Sequence, residues 1–470
     1  MAVAMMKRND YWQVKNTMQT AIIDGEEALT YKQLEERVQE RAKILAGIPQ
    51  KVILAPMSND LDQLINFLAL IRANKVAVPV NSGHSDQGLQ DILNQFESPL
   101  VLTDIHTISQ KAAVPFDSAE YASPSDLAFI GFTSGTTGQP KGYRRTHQSW
   151  VKSFEGTNAL IRQSGNQSAT VFGSMHYSLS LYTLMQTLYF GQTFILNPHF
   201  STKRLIGLVK QTESLTCYLV PTMIHALVSK LEVQNEVLTE NYTIISSGAK
   251  LNVDIRRKLY HYCPNVQLYE FYGSSETSYI SMETVQGIPS DNSVGQLFPG
   301  VEVVIDQPNA EGIGEIQVRS PLNFAGYHRK GEDRVATVAC VSTGDLGKLA
   351  GNSLEYYGRK DDCINRGGEK FYPLEFERHL LKLEAVAEIV VLGIPDAHYN
   401  EKIGAVIVWS DHNQAMSLDE VNTYLSSQMS RLAKIDHIFV VQGIPKQNNG
   451  KISRKQLLHE LAKERVPSVI

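Results

Sequence analysis

Phe132-Thr133-Ser134-Gly135-Thr136-Thr137-Gly138-Gln139-Pro140-Lys141-Gly142 follows an apolar run, Leu127 to Ile130, that predicts a buried strand. The strand opens into a loop where Thr133, Ser134, Thr136 and Thr137 alternate with Gly131, Gly135, Gly138 and Gly142. Glycines let a backbone turn its N–H groups toward an anion, and hydroxyls add donors without bulk. Lys141 adds a compact positive charge suited to a phosphate. It is not a Walker A loop, because no Gly-x-x-x-x-Gly-Lys-Ser/Thr occurs. Composition alone fits a flexible surface loop equally well; the order of the residues carries the reading.

The other bounds are broad. A chain of 470 residues predicts two or three domains with ample core. Apolar and charged contents of 43% and 20% are those of soluble globular proteins. A net charge of −5 gives no general attraction to nucleic acid or anionic membrane. Cys217, Cys263, Cys340 and Cys363 form no C-x-x-C pair, which argues against a disulfide framework or zinc site and for a cytoplasmic setting. Met1 to Asp10 carries charges where a signal peptide needs an apolar run, and Leu64 to Ile71 is too short to span a bilayer. The oligomeric state stays open.

Along the chain, Thr30 is placed to cap a helix from Tyr31 toward Leu45, with Glu36 and Arg37 on its wet face. Strand patterns at 51–55, 75–80 and 99–103 alternate with helical ones at 61–73 and 85–96. Near-continuous apolar strands between helices predict a parallel sheet covered on both faces. The last hundred residues carry strands at 389–392, 404–409 and 438–441, with a helix capped by Ser417 and Glu420, a compact α+β unit.

The run 132–142 closely resembles the phosphate loop of the adenylate-forming superfamily, which includes acyl- and aryl-CoA synthetases, nonribosomal peptide synthetase adenylation domains and firefly luciferase. Eleven contiguous residues match, which is highly specific. Other motifs of the family follow in order. Leu29-Thr30-Tyr31 with Leu34 resembles its early element, Thr216 to Met223 its Val-Pro-Thr element, and Ile444 to Arg454 its final Pro-x-x-x-x-Gly-Lys. The resemblance implies an α/β fold: a large N-terminal domain (1–358) of packed layers with parallel-rich sheets, and a small mobile α+β domain (359–470) joined by a hinge near Asp361. It also implies two steps: a carboxylate and ATP give an acyl-adenylate, then a thiol takes the acyl group.

The resemblance assigns roles residue by residue. Thr133 to Gly138 and Lys141 would hold the phosphates. Ser247-Gly248-Ala249 ends a strand at 244–246 in small residues and would cradle adenine, although an ordinary strand-to-helix turn reads the same way. In Glu270 to Thr277, Tyr272 offers a ring to adenine, followed by Gly273. Ser275, where relatives commonly have threonine, offers a hydroxyl to the α-phosphate, and Glu276 would hold Mg²⁺. Asp345 would accept both ribose hydroxyls, and Arg359 would touch ribose or phosphate. Gly367-Gly368 falls where the family lays a strand beside the pantetheine tunnel for coenzyme A, and Lys451 is the candidate catalytic lysine.

His176 stands fifteen residues before Gly191, as does the pocket histidine of many acyl- and aryl-CoA synthetases. The block 171–196 contains no acidic residue, and a buried ammonium would need one, so an α-amino acid is a poor substrate. Arg144 and Arg145 stand where relatives often have apolar residues. They read as a solvated turn, with attraction of pyrophosphate or CoA phosphates as the second reading. The leading expectation is an ATP-dependent acid–CoA ligase acting on a fatty acid, with an aryl acid second. A free-standing enzyme that loads a carrier protein's pantetheine is the alternative. A non-catalytic nucleotide-binding protein is disfavoured by Lys141, Glu276, Asp345 and Lys451 occurring together.

Overall fold

The computed structural model describes residues 17–83, 86–102, 122–134, 140–161, 167–197, 199–284, 292–332, 335, 338–411, 415–429, 434–445 and 452–464. The chain forms two compact units: Met1–Ile288, Val294–Val303 and Val318–Val341 make the first, and Pro289–Ser293, Val304–Gln317 and Ser342–Ile470 the second. Residues 342–358, which the sequence reading assigns to the large domain, fall in the second unit.

The first unit begins with strands β1 (Thr20–Asp24) and β2 (Glu27–Thr30) and helix α1 (Tyr31–Ala46). Thr30 caps α1 in a reciprocal box with Gln33, so two orphan donors at the helix start are satisfied. Next come β3 (Val52–Met57), α2 (Leu61–Arg72), β4 (Val76–Asn81), α3 (Asp86–Leu93), β5 (Leu100–Val101), β6 (Leu127–Ser134), β7 (Pro140–Thr146) and α4 (His147–Ile161). The five strands β5-β3-β4-β6-β7 lie in that order, parallel except for β7. Phe67 and Leu68 of α2 are wholly buried, each contributing roughly 1.5–3 kcal/mol.

The chain continues through β8 (Ser168–Val171), α5 (Ser178–Tyr189), β9 (Thr193–Leu196), α6 (Thr202–Gln211), β10 (Leu215–Leu219), α7 (Pro221–Gln234), β11 (Tyr242–Ser246), α8 (Val253–Tyr262), β12 (Val266–Ser274), β13 (Ser278–Thr284) and β14 (Ser293–Leu297). These pair in the order β14-β13-β12-β11-β10-β8-β9-β1-β2. From β12 to β1 every pairing is parallel. Proline at 221 opens α7, where its missing N–H costs nothing.

The later chain runs β15 (Glu302–Asp306), β16 (Gly314–Arg319), β17 (Val341–Ala350), β18 (Ser353–Arg359), β19 (Ile364–Arg366), β20 (Glu369–Phe371), α9 (Pro373–Leu380), β21 (Val386–Asp396), β22 (Asn400–Trp409), α10 (Leu418–Gln428), β23 (His437–Val440) and α11 (Arg454–Glu464). Ser417 and Glu420 form the expected capping box on α10. Phe376, Leu380, Val391, Ile403, Ile407, Val421 and Leu425 build this unit's own core.

Two expectations are corrected. Thr133 and Ser134 lie on β6, not in a loop, because pairing with β7 persists through Ser134↔Pro140. Arg144 and Arg145 are not in a solvated turn: they sit on β7 and are 4% and 1% exposed. The free edge of β7 is covered by 325–328, with Arg144 N–H donating to Gly326 O and Ala325 N–H to Arg144 O. Both edges of the strand are thereby paired.

Candidate active site

In the β6–β7 hairpin, Thr133 is opposite Lys141, Gly131 opposite Tyr143 and Phe129 opposite Arg145. Directly opposed residues share a face, so Thr133, Lys141, Tyr143 and Arg145 line one side of the hairpin. Any Cβ at Gly131 would run into the Tyr143 ring, which lies across that position. Lys141 is exposed at the end of this row, with no ion-pair partner among the described residues. Gly135, Thr136, Thr137 and Gly138 lie outside the described residues, as does the side chain of Ser134.

The same face meets the turn that joins β12 to β13. Arg145 donates to Ser275 O at 2.7 Å and also to Leu322 O. Burial pushes the pKa of the Tyr143 hydroxyl up, opposed by the nearby Ser178, Arg145 and Ser275. Burial pushes Arg145 down to about 10, opposed by the nearby Tyr143, Glu276 and Tyr182. The turn is tied within itself: Ser274 Oγ accepts from the N–H groups of Glu276 (3.2 Å) and Thr277 (3.3 Å). Glu276 is half-buried, and its Oε1 accepts the Tyr327 hydroxyl at 3.0 Å. Its main-chain carbonyl accepts Phe324 N–H at 2.7 Å. Thus 322–327 brackets the Ser275-Glu276 turn from one side and β7 from the other. A Cβ at Gly273 would overlap the Ser278 carbonyl oxygen, so close pairing of β12 and β13 requires glycine there.

His176 lies between β8 and α5, with Nδ1 2.7 Å from Ser174 Oγ and its ring 3.9 Å from that of Tyr177. Asn59, after β3, holds this segment: it donates to Gly173 O (3.3 Å) and Asn197 O (2.9 Å) and accepts Met175 N–H (3.0 Å). At the end of β11, Ser247 is buried, Gly248 has φ +94° and Ala249 is exposed. A left-handed residue there requires glycine. Glu270 on β12 accepts Leu251 N–H at 2.7 Å and pairs with buried Arg256, fixing this turn to α8. Tyr272 follows on the same strand, half-buried.

In the second unit, Asp345 on β17 is opposite Arg359 on β18, and Arg359 Nε lies 3.1 Å from Asp345 Oδ1. Asp345 is buried, and its N–H donates to Thr343 Oγ1 at 3.1 Å. Asp361 is exposed in a 3₁₀ turn (Lys360–Asp362). Gly367 and Gly368 are not in a strand; they are the two-residue turn of the β19–β20 hairpin, with φ +62° and +90°. Two successive positive φ angles favour glycine at both positions. Lys451 lies outside the described residues.

The site residues therefore gather into clusters. In the first unit, Thr133 and Lys141 share a hairpin face with Arg145, which bonds the Ser275-Glu276 turn; in the second, Asp345 pairs with Arg359. Sequence reasoning missed Arg145 as a turn anchor, Tyr327 as partner of Glu276, and Asn59. Only the alternation along 141–145 pointed at Arg145, which shares parity with Lys141. Among the described residues no three His, Cys, Asp or Glu side chains form a metal-binding group. One anchored carboxylate still fits Mg²⁺, which usually takes one or two protein carboxylates together with substrate phosphates and water.

Comparison with known proteins gives the class. The chain belongs to the adenylate-forming enzymes: the family model "AMP-binding enzyme" matches residues 11–328, and "AMP-binding enzyme C-terminal domain" matches 375–451. It is accordingly an AMP-forming acid–thiol ligase. A relative in Staphylococcus aureus (strain MRSA252), named "Putative long chain fatty acid-CoA ligase VraA", is 31% identical over 437 residues, covering 92% of this chain and 93% of its own. The crystal structure of ATP-bound MatB from Rhodopseudomonas palustris shares the fold with TM-score 0.79 at 23% identity, covering 97% and 98% of the two chains. O-succinylbenzoate coenzyme A synthetase (MenE) from Bacillus subtilis, in complex with ATP and magnesium ion, shares it with TM-score 0.77 at 21% identity, covering 93% and 96%. No described helix is long and apolar enough to cross a membrane.

Proposed function

We propose that this ligase joins a fatty acid to coenzyme A at the expense of ATP, through a bound acyl-adenylate. The observation that carries the reading is the shared face of β7, which sets exposed Lys141 in one row with Tyr143 and with Arg145, whose guanidinium is bonded to the Ser275-Glu276 turn. A lysine and an anchored carboxylate on adjoining elements suit a metal-bound triphosphate.

In the first step a carboxylate oxygen bonds to the α-phosphorus as the bond to pyrophosphate breaks. Two anions approach each other, so the need is for positive charge and donors in fixed positions. Lys141, the amides of 133–138 and Lys451 would supply them, with the Ser275 hydroxyl on the α-phosphate. Glu276 would hold Mg²⁺, which when bound neutralises phosphate charge. Ser247, Gly248, Ala249, Tyr272 and Gly273 would receive adenine; Asp345 and Arg359 would receive ribose. In the second step the thiolate of coenzyme A attacks the acyl carbonyl and AMP leaves. Residues from 359 onward would turn about Asp361 between the steps, withdrawing Lys451 and presenting Gly367-Gly368 to pantetheine.

The acid preference rests on the block 171–196, where α5 is deeply buried and carries no charged side chain. His176 would border the acyl group. An alkyl or aryl chain fits such surroundings, and an ammonium group does not. The name of the staphylococcal relative agrees with a fatty acid. The test is pyrophosphate exchange over acids of graded length and type, followed by AMP release with CoA or with carrier protein as acceptor. Medium- or long-chain acids with CoA should be fastest. Exchange with none of them, or transfer only to carrier protein, would refute the reading.

A further inference from the structure

Arg145 is 1% exposed, yet it forms no salt bridge among the described residues. Its guanidinium is met by two main-chain carbonyls, Ser275 O and Leu322 O, which belong to segments 130 and 177 residues away in sequence. Ser275 is followed directly by Glu276, and Leu322 begins the segment whose Tyr327 hydroxyl holds the Glu276 carboxylate. One side chain thus ties together the two stretches that fix this glutamate. Taking a cation out of water without a contacting carboxylate is costly. A neutral donor such as glutamine could bind carbonyls more cheaply. What the guanidinium adds is a rigid fork that reaches both carbonyls, and a positive charge close behind the turn.

We infer that Arg145 is a positioning residue for the metal-nucleotide half of the site: it pins the Ser275-Glu276 turn against 322–327 and lends positive charge to the bound polyphosphate. The inference rests on Glu276 as the metal carboxylate. Outer groups that hold a metal ligand commonly affect affinity strongly when they are removed. The acid-binding side should be much less affected: both hydrogen bonds of the guanidinium go to Ser275 and Leu322, and Tyr182 of α5 is near it without accepting one.

R145K, R145Q and E276Q are compared with the wild-type full chain. The first readout is Mn²⁺ binding in the presence of ATP without acid, followed by electron paramagnetic resonance. The second is the KM for ATP and for acid in pyrophosphate exchange, and the third is Tm. R145Q should weaken Mn²⁺ binding on the order of tenfold, raise the KM for ATP in step, and leave the KM for acid unmoved. R145K, which keeps the charge but not the fork, should fall between wild type and R145Q. Unchanged Mn²⁺ affinity in R145Q beside a weakened E276Q overturns the inference alone. So does an equal effect of R145K and R145Q, or a rise of both KM values together with a fall in Tm. Unchanged Mn²⁺ affinity in E276Q instead overturns the assignment of Glu276. If R145Q is not recovered folded, R145K decides: weakened Mn²⁺ binding with an unmoved KM for acid supports the inference, and wild-type binding overturns it.

Discussion

Among the described residues, one phenol, that of Tyr327 at 3.0 Å, holds the Glu276 carboxylate. Removing that hydroxyl frees the carboxylate to rotate, so Y327F should raise the KM for MgATP about tenfold, the lower end of the roughly 10–100-fold typical of such supports, with Tm nearly constant. Gly273 is a harder constraint, because an added methyl group meets backbone. G273A should destabilise by about 2 kcal/mol and abolish adenylation, read by thermal melts and pyrophosphate exchange. His147 gives a pH signature. Burial pushes it down to about 4, with Asp126 opposing and Lys51 reinforcing the shift. The unfolded chain takes up this proton near pH 6.5 and the folded chain only near 4, so stability falls as pH drops through that window. The loss amounts to about 3 kcal/mol at most. H147Q should flatten the dependence of Tm on pH between about 4 and 6.5.

Among elements, the β19–β20 hairpin is the most exacting. Its two turn residues both have positive φ, so G368A should cost about 1–2 kcal/mol in the second unit. A change of Gly367 to Asn should be tolerated, because Asn-Gly suits the same turn. If the hairpin serves pantetheine, G368A should slow thioester formation from supplied acyl-adenylate more than it slows adenylation; equal slowing would contradict that role. Helix α10 depends on its reciprocal cap, and S417A should lower stability by about 1 kcal/mol without changing the KM for ATP.

At the scale of the whole molecule, Arg454 is the joint of the second unit. It reaches Asp362 (2.9 Å) beside the expected hinge, Glu377 on α9 (2.6 Å) and Val391 O on β21 (2.9 Å). Its side chain is largely buried, so R454A leaves two carboxylates short of a partner and should cost about 3 kcal/mol, measured by denaturant melts. Three residues before it stands Lys451. K451A should lose adenylation yet keep much of the thioester step when acyl-adenylate is supplied; equal loss in both would refute its role.

Much of this was legible in the sequence because it depends on near neighbours. Periodicity and caps marked α1 and α10, and the contiguous phosphate-loop match marked the family. Composition did not reveal that Arg144 and Arg145 are buried, since two adjacent arginines normally stay in water. Their burial is decided by the strand edge at 325–328 and by carbonyls far along the chain. Likewise, glycine at 367 and 368 announces backbone freedom, while the register of β19 with β20 decides that it is spent on a turn. What the residues determined alone is the order of elements and the chemistry on offer. Which charged groups face one another, and which lose their water, was set only when distant segments packed, because burial and electrostatic partnership belong to pairs that the linear chain keeps apart.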